Sequence, residues 1–540
     1  MTDVTVPEVL GPTAEFPFEW GDPSDAGKTW EWDDMHMPTC VAPLAGDYAL
    51  MIVQGDRYSQ RRLDLPFEFR GQVFNGYVYY VSRHDVPADE LEASRARASA
   101  AFREQIPLAA DYWRKALVEL QEMFGWIARL PVESLPLDEL ADAWDAAWER
   151  ALRAWEIHFY IIIGPYESLD VLADLYESVM PDAPSGEALR LTQGTIHELT
   201  AVDDGLTRLA VLASNDALAA ALSGGRGLEN LADVQGGPAF VEELSAFLDR
   251  HGHLGQNWDD LALPSWAEEP SRLLSELSKR IEHPPEPARV RAERLRAEAE
   301  ALADAFRARV ADDPAKLAEF ERALADAREI GHLTETHNYW IDRLCQARLR
   351  ALAFRVGARL AQAGVFAQPD DVLYLHRDEI TALLRRPEDR QGLVASRRAD
   401  RARWSLVRPP SVLGAPKRNE EPNRFGGDTT KSKDDRVIRG TGASGGVVRG
   451  PARVVLGPDD FAKVGPGDVI IAPSSNPSWV PLFTIAAGLV TNTGGVLSHA
   501  AVVAREFALP AVVGTGDATR RITDGQIVEL DGTTGVVRLA

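Results

Sequence analysis

The sequence predicts a multidomain protein: a mainly α-helical N-terminal domain with a small β-containing part, followed by a C-terminal α/β domain. Three observations lead there. At 540 residues the chain is too long for one hydrophobic core, so two to four domains are expected. From Pro87 the apolar pattern has helical period for some three hundred residues. After a break in that pattern between about Trp404 and Val437, short apolar strands alternate with turns to the end. The expected boundaries are 1–403, a 404–437 connection and 438–540.

Residues 1 to about 90 read as mixed structure, with Trp30 to Leu44 too rich in proline for a regular helix. Residues 71–81 carry a hairpin signal: Asn75-Gly76 suits a type I′ turn between apolar strands. In the helical stretch, Trp144, Trp148, Leu152, Trp155 and Phe159 form one stripe of a long helix. Core packing explains that stripe better than an aromatic-substrate pocket. Arg289–Val310 and Leu344–Ala363 follow as amphipathic helices, and no internal repeat stands out. The 404–437 segment, rich in Pro, Gly, Lys and Asp, reads as a hinge. A flexible chain of about 34 residues would span roughly 30 Å. Beyond it, strands are expected at Gly445–Leu456, Asp468–Ala472, Gly488–Thr491, Pro510–Val513 and Gln526–Arg538.

A net charge of −24 argues against nucleic acid or an anionic membrane as partner. Cys40 and Cys345 are the only cysteines, so neither a disulfide framework nor a thiolate metal cage is available. The start lacks a basic segment followed by an apolar one, and no apolar run reaches membrane-spanning length. A cytoplasmic location is expected.

The stretch richest in chemistry is Thr491-Asn-Thr-Gly-Gly-Val-Leu-Ser-His499, continuing to Arg505-Glu506. An apolar strand ends in a Gly494-Gly495 turn, and a short helix opens at His499 behind the N-cap candidate Ser498. A helix start attracts phosphate through its unpaired N–H groups and dipole. A neutral imidazole there is placed to become a phosphohistidine, with Thr491, Gly494, Gly495 and Ser498 as phosphate-binding candidates. Arg505 lies about 240° around the helix from His499 and is expected in an ion pair or a docking contact.

These residues, with Leu509-Pro-Ala-Val-Val-Gly514, Asp524 to Gly532, Gly442 to Gly450 and Asn476 to Phe483, resemble the swivelling histidine domain of the phosphoenolpyruvate synthase and pyruvate phosphate dikinase family. The resemblance covers about the last hundred residues and implies that His499 carries a phosphoryl group between two active sites. Within the 540 residues there is no Walker motif, no nucleotide-grasp domain and no phosphoenolpyruvate-binding barrel. The donor site is therefore expected on a partner nucleotide-binding subunit that holds ATP and Mg2+ or Mn2+, and the acceptor site in residues 1–400.

Trp32 to Leu44 with His36, Phe247 to Gly255 with His251 and His253, and Pro369 to His376 resemble the acceptor region of rifampin phosphotransferase. The two-chain layout is similar to phenylphosphate synthase and to kinases of hydroxyphenyl ketones such as acetovanillone. This implies a small aromatic hydroxyl acceptor and a heteromeric enzyme of aromatic catabolism. The chain departs from the antibiotic kinases at Thr334-Glu335-Thr336-His337-Asn338, where they have Arg-Glu-x-x-Lys, and at Leu254. Fewer cations would then surround the moving phosphoryl group. Candidates for the base are His337, His253, His251 and Glu335 in falling order, with His251 and Asn338 as substrate-binding candidates. On an α-helix Glu335, Asn338 and Asp342 share a face and His337 points away. His251 and His253 beside Asp259 and Asp260 do not amount to a metal site, and none is assigned.

The expected function is the phosphohistidine- and acceptor-binding subunit of an ATP-dependent, dikinase-like phosphotransferase. Two alternatives remain at this point: a non-catalytic phosphocarrier or scaffold, and a phosphotransferase fed by phosphoenolpyruvate.

Overall fold

A computed structural model describes residues 15–34, 36–65, 69–81, 91–184, 186–224, 230–255, 260–282, 284–415, 436–475, 479–496 and 498–540. Most of the expected hinge, together with Asp259 and residues 476–478, lies outside the described residues. The chain forms two units: Met1–Ile163 with Asn257–Leu263 and Trp340–Glu421, and Gly164–Gln256 with Pro264–Tyr339 and Pro422–Ala540. No described helix is long and apolar enough to cross a membrane.

The first unit holds a four-stranded sheet in the order Gly71–Phe74, Tyr77–Val81, Thr29–Trp32, Val412–Gly414. The hairpin sits where the sequence put it. Asn75 and Gly76 have φ of 52° and 81°, the left-handed pair that a type I′ turn requires. Phe16, Trp30, Phe74, Tyr77 and Tyr79 pack beneath it as an aromatic core. The helix Leu137–Ile161 buries Trp144, Trp148 and Trp155 to 1% exposure or less, which makes the tryptophan stripe core. It crosses the helix Pro43–Arg62 at Gly55, where an added Cβ would stand 2.7 Å from the Trp155 carbonyl carbon. Only glycine permits so close a crossing.

The second unit combines helices from Ile163–Val179 to Leu333–His337 with an eight-stranded sheet. Among the helices, Tyr176, Phe306 and Phe320 stack in the core, with ring centroids 5.7 and 3.9 Å apart. Asp203 is fully buried between Arg280 and Arg291, each 2.6 Å from one carboxylate oxygen. The sheet runs in the order Val437–Arg439, Val536–Leu539, Ile527–Asp531, Val447–Val454, Val469–Ala472, Gly488–Thr491, Ala511–Val513, Thr441–Ser444.

Its middle strands are parallel and its flanks antiparallel. The parallel strands are apolar on both faces, as a sheet covered on both sides demands. Ile470, Ala472, Leu489, Ala511 and Val513 face one core, and Val469, Ile471, Val490 and Val512 the other. The helix His499–Glu506 joins two parallel neighbours and lays Ala500, Ala501, Val503 and Ala504 on the first of these cores. That packing fixes which way its first residue points. An α-helical N-terminal region with a small sheet and a C-terminal α/β region are thus what the chain forms.

Candidate functional site

The strand Gly488–Thr491 is wholly buried and ends at the turn that leads to His499. Gly494 adopts φ 106°, and an added Cβ would lie 2.8 Å from the Ser498 hydroxyl. Ser498 occupies the N-cap position, yet its Oγ donates to the Gly495 carbonyl at 2.8 Å and caps no amide. The glycine turn brings that carbonyl within reach and draws the hydroxyl away from the helix. Thr491 is 0% exposed, with its Oγ1 donating to the Thr493 carbonyl at 2.7 Å. Its hydroxyl therefore ties the turn together from inside.

His499 Nδ1 lies 2.7 Å from Glu335 Oε2. The side chains are 14% and 3% exposed. A carboxylate only accepts, so Nδ1 carries the hydrogen, and in the neutral imidazole the lone pair is then on Nε2. Nε2 is enclosed, below 1 Å² exposed, and has no hydrogen-bond partner among the described residues. An imidazole held by a carboxylate at one nitrogen and unengaged at the other is a nucleophile whose direction has been set.

Of the four base candidates only Glu335, ranked last from sequence, stands against His499. Asn338 Nδ2 reaches the same Glu335 oxygen at 3.5 Å. His337 is buried, and its Nδ1 donates to the Leu333 carbonyl at 2.6 Å. His251 donates from Nδ1 to the Tyr339 hydroxyl at 2.8 Å, and that hydroxyl donates to the Arg250 carbonyl. Burial, reinforced by Arg250 and Arg208, pushes the His251 pKa down to about 4. His253 sets its ring edge-on to Tyr339 at 4.6 Å. Of the expected common face, Glu335 and Asn338 still meet but Asp342 leaves it, because residues 338–343 form a π-helical turn. A π turn changes the angular spacing on which that face rested. Asp342 pairs instead with His158 at 2.7 Å.

Sequence reasoning missed what lies at the other end of the histidine helix. Among the described residues Arg505 makes no ion pair, but its backbone makes a docking contact: Gln193 Nε2 donates to its carbonyl at 3.0 Å. Its guanidinium is buried and donates to the Ala443 and Val496 carbonyls at 3.1 and 2.7 Å, bracing its own domain. Burial lowers its pKa to about 10. Glu506 Oε1 lies 2.8 Å from His197 Nε2. The Arg-Glu pair was visible in the sequence, but the partner of Glu506, His197, lies 309 positions earlier and left no local signal.

Residues 464–535 match the family described as "PEP-utilising enzyme, mobile domain", and residues 160–335 match "Rifampicin phosphotransferase fourth domain". Across 97% of its length the chain is 31% identical to chondramide synthase cmdD of Chondromyces crocatus, covering 14% of that protein. It is 27% identical to the uncharacterized phosphotransferase YvkC of Bacillus subtilis, over 72% of this chain and 47% of that one. It is 32% identical to rifampicin phosphotransferase of Streptomyces sviceus, over 58% of this chain and 36% of that one. The chain thus spans between about a seventh and half of the length of these relatives. His499 and Glu335 fall in the two matched regions, so their hydrogen bond joins the region similar to the PEP-utilising mobile domain to the region similar to the rifampicin phosphotransferase fourth domain.

Proposed function

We propose that His499 carries a phosphoryl group on Nε2 and delivers it to a hydroxyl acceptor. The observation that carries this is the Glu335–His499 hydrogen bond, which leaves an unengaged Nε2 at the start of a helix. The matches to the PEP-utilising mobile domain and the rifampicin phosphotransferase fourth domain support it.

In the first half-reaction Nε2 attacks the β-phosphorus of ATP, the bond to the α-phosphate oxygen breaks and AMP leaves, and one water then cleaves the β–γ bridge to release phosphate and leave phosphohistidine. ATP and Mg2+ or Mn2+ belong to a partner nucleotide-grasp subunit in this proposal, and no residue of this chain is assigned to hold them. In the second, the acceptor oxygen attacks phosphorus, the N–P bond breaks and its electron pair returns to Nε2. The hydroxyl proton passes to a base, for which Glu335 is the best-placed candidate. A phenolic acceptor is favoured by the resemblance to phenylphosphate synthase. Rifampicin itself is not favoured, because the cationic residues of the antibiotic kinases are replaced around Glu335 and at Leu254.

Two experiments test this. Phosphoramidate transfers its phosphoryl group to imidazole with loss of ammonia, and should label His499 on Nε2, as read by phosphorus NMR. With the nucleotide-grasp subunit and ATP labelled at the β-phosphorus, the wild-type chain should take up label and His499→Ala should take up none. Equal label on His499→Ala sinks the proposal.

A further inference from the structure

The histidine helix is held at both ends. At its start His499 meets Glu335; at its end Glu506 meets His197, whose side chain is 2% exposed. Between them, Gln193 Nε2 donates to the Arg505 carbonyl at 3.0 Å. Next to Glu506, the Phe507 ring lies under the Arg291 guanidinium at 4.4 Å. Arg291 is itself anchored on buried Asp203. Val496, from the turn before His499, packs against the cluster of Tyr176, Phe306 and Phe320. These contacts join residues 190–200 and 288–296 of the helical part to one face of the α/β part.

We propose that His197 and Glu506, with the Arg291–Phe507 stack, form a docking latch that seats the histidine helix and so positions His499 against Glu335. His197 and Glu506 are positioning residues; neither touches the reacting nitrogen. Only the consequence for phosphoryl transfer rests on the carrier role of His499. The latch itself rests on the geometry.

Charge favours the arrangement. Burial opposes protonation of His197, but Glu506, by charge and hydrogen bond, with Glu198 and Glu335 beyond it, raises its pKa to about 9. Burial would likewise raise Glu506, and His197 outweighs it, with His499 and Arg291 adding to the effect, so its pKa is lowered. His332 also faces this cluster, and burial together with the charge of His197 depresses its pKa to about 4, leaving it neutral. Nε2–H of His197 donates to Glu506 in either protonation state. The 3.4 Å approach of the Leu199 amide to Nδ1 is a hydrogen bond only in the neutral form.

The test is hydrogen exchange of the full chain, followed at residues 499–507 and 190–200. Glu506→Gln and His197→Gln should each speed exchange at both segments at least tenfold while the thermal midpoint of the chain stays within a few degrees. The exchanged pair His197→Glu with Glu506→His should restore most of the protection, a rescue that a merely structural role would not give. Protection in the wild type, corrected for intrinsic exchange, should fall as pH rises from about 6.5 to 9, and His197→Gln should flatten that profile. Wild-type protection in both single variants, or an unaltered profile in His197→Gln, overturns the latch. If a variant loses its cooperative melt, the wild-type pH profile alone decides, and a flat one overturns the proposal. Failure of phosphoramidate to label His499 would instead remove the carrier role and leave these exchange results standing.

Discussion

At the scale of single residues, the site depends on two positions with no redundancy. Gly494 combines φ 106° with a Cβ position 2.8 Å from the Ser498 hydroxyl. Gly494→Ala should therefore destabilise the chain by about 1–3 kcal/mol, the range for a residue forced into a sparsely populated conformation, as measured by urea unfolding. It should also slow labelling of His499. Glu335 sets the tautomer that leaves Nε2 nucleophilic. Glu335→Ala should lower the rate of His499 phosphorylation by phosphoramidate roughly tenfold, and the acceptor half-reaction by about 10²–10⁴-fold if Glu335 is also the base. Glu335→Gln keeps an acceptor for Nδ1–H and should restore the first rate but not the second. His499 was legible because its signal is local: strand, glycine pair, small polar residue, helix. Glu335 was visible only as one acid among several. It meets His499 across 164 positions of sequence, and nothing in either neighbourhood encodes that meeting.

At the scale of elements, the helices of the second unit surround a charge cluster instead of a purely apolar core. Asp203 neutralises one of two buried guanidiniums that approach it, Arg280 and Arg291. Breaking a buried ion pair from one side typically costs about 3–5 kcal/mol, so Asp203→Ala should be among the most damaging single changes here, measured by chemical denaturation. Replacing Arg505 by alanine should cost about 1–3 kcal/mol through the two carbonyls it leaves unpaired. Element existence was largely readable. The Asn75-Gly76 hairpin, the tryptophan stripe and the β-α-β run around His499 each obey a short-range rule. The π turn at residues 338–343 was not, since a helical wheel assumes the very spacing that turn abandons. Its effect was to misplace Asp342 on the face of Glu335.

For the whole molecule, the buried histidines give stability a two-sided dependence on pH. His251 and His332 have folded pKa values near 4, below the ordinary value near 6.5. The unfolded chain therefore binds more protons between those limits, and their contribution to stability is lost as pH falls from about 6.5 to 4. His197 has the opposite sign, and its contribution is lost as pH rises from 6.5 to about 9. Thermal midpoints should accordingly be highest near pH 6.5. His197→Gln should remove part of the alkaline fall and leave the acid one. None of this was visible in the sequence, where eleven histidines look alike until burial and neighbours distinguish them.

The enclosure of His499 Nε2 carries a consequence of volume. With less than 1 Å² of that atom exposed, there is no room beside it for three phosphoryl oxygens. The seated helix is therefore the form of the unladen histidine. On the proposed carrier role, loading the nitrogen must move the side chains around Nε2 aside and loosen the helix on its seat, with Glu335 still within reach for the transfer that follows. A chain treated with phosphoramidate should then exchange its 499–507 amides faster than an untreated one, and slow again once the group has left. On the proposed function the resting geometry then serves as an occupancy gauge, in which a tightly seated helix marks a free imidazole.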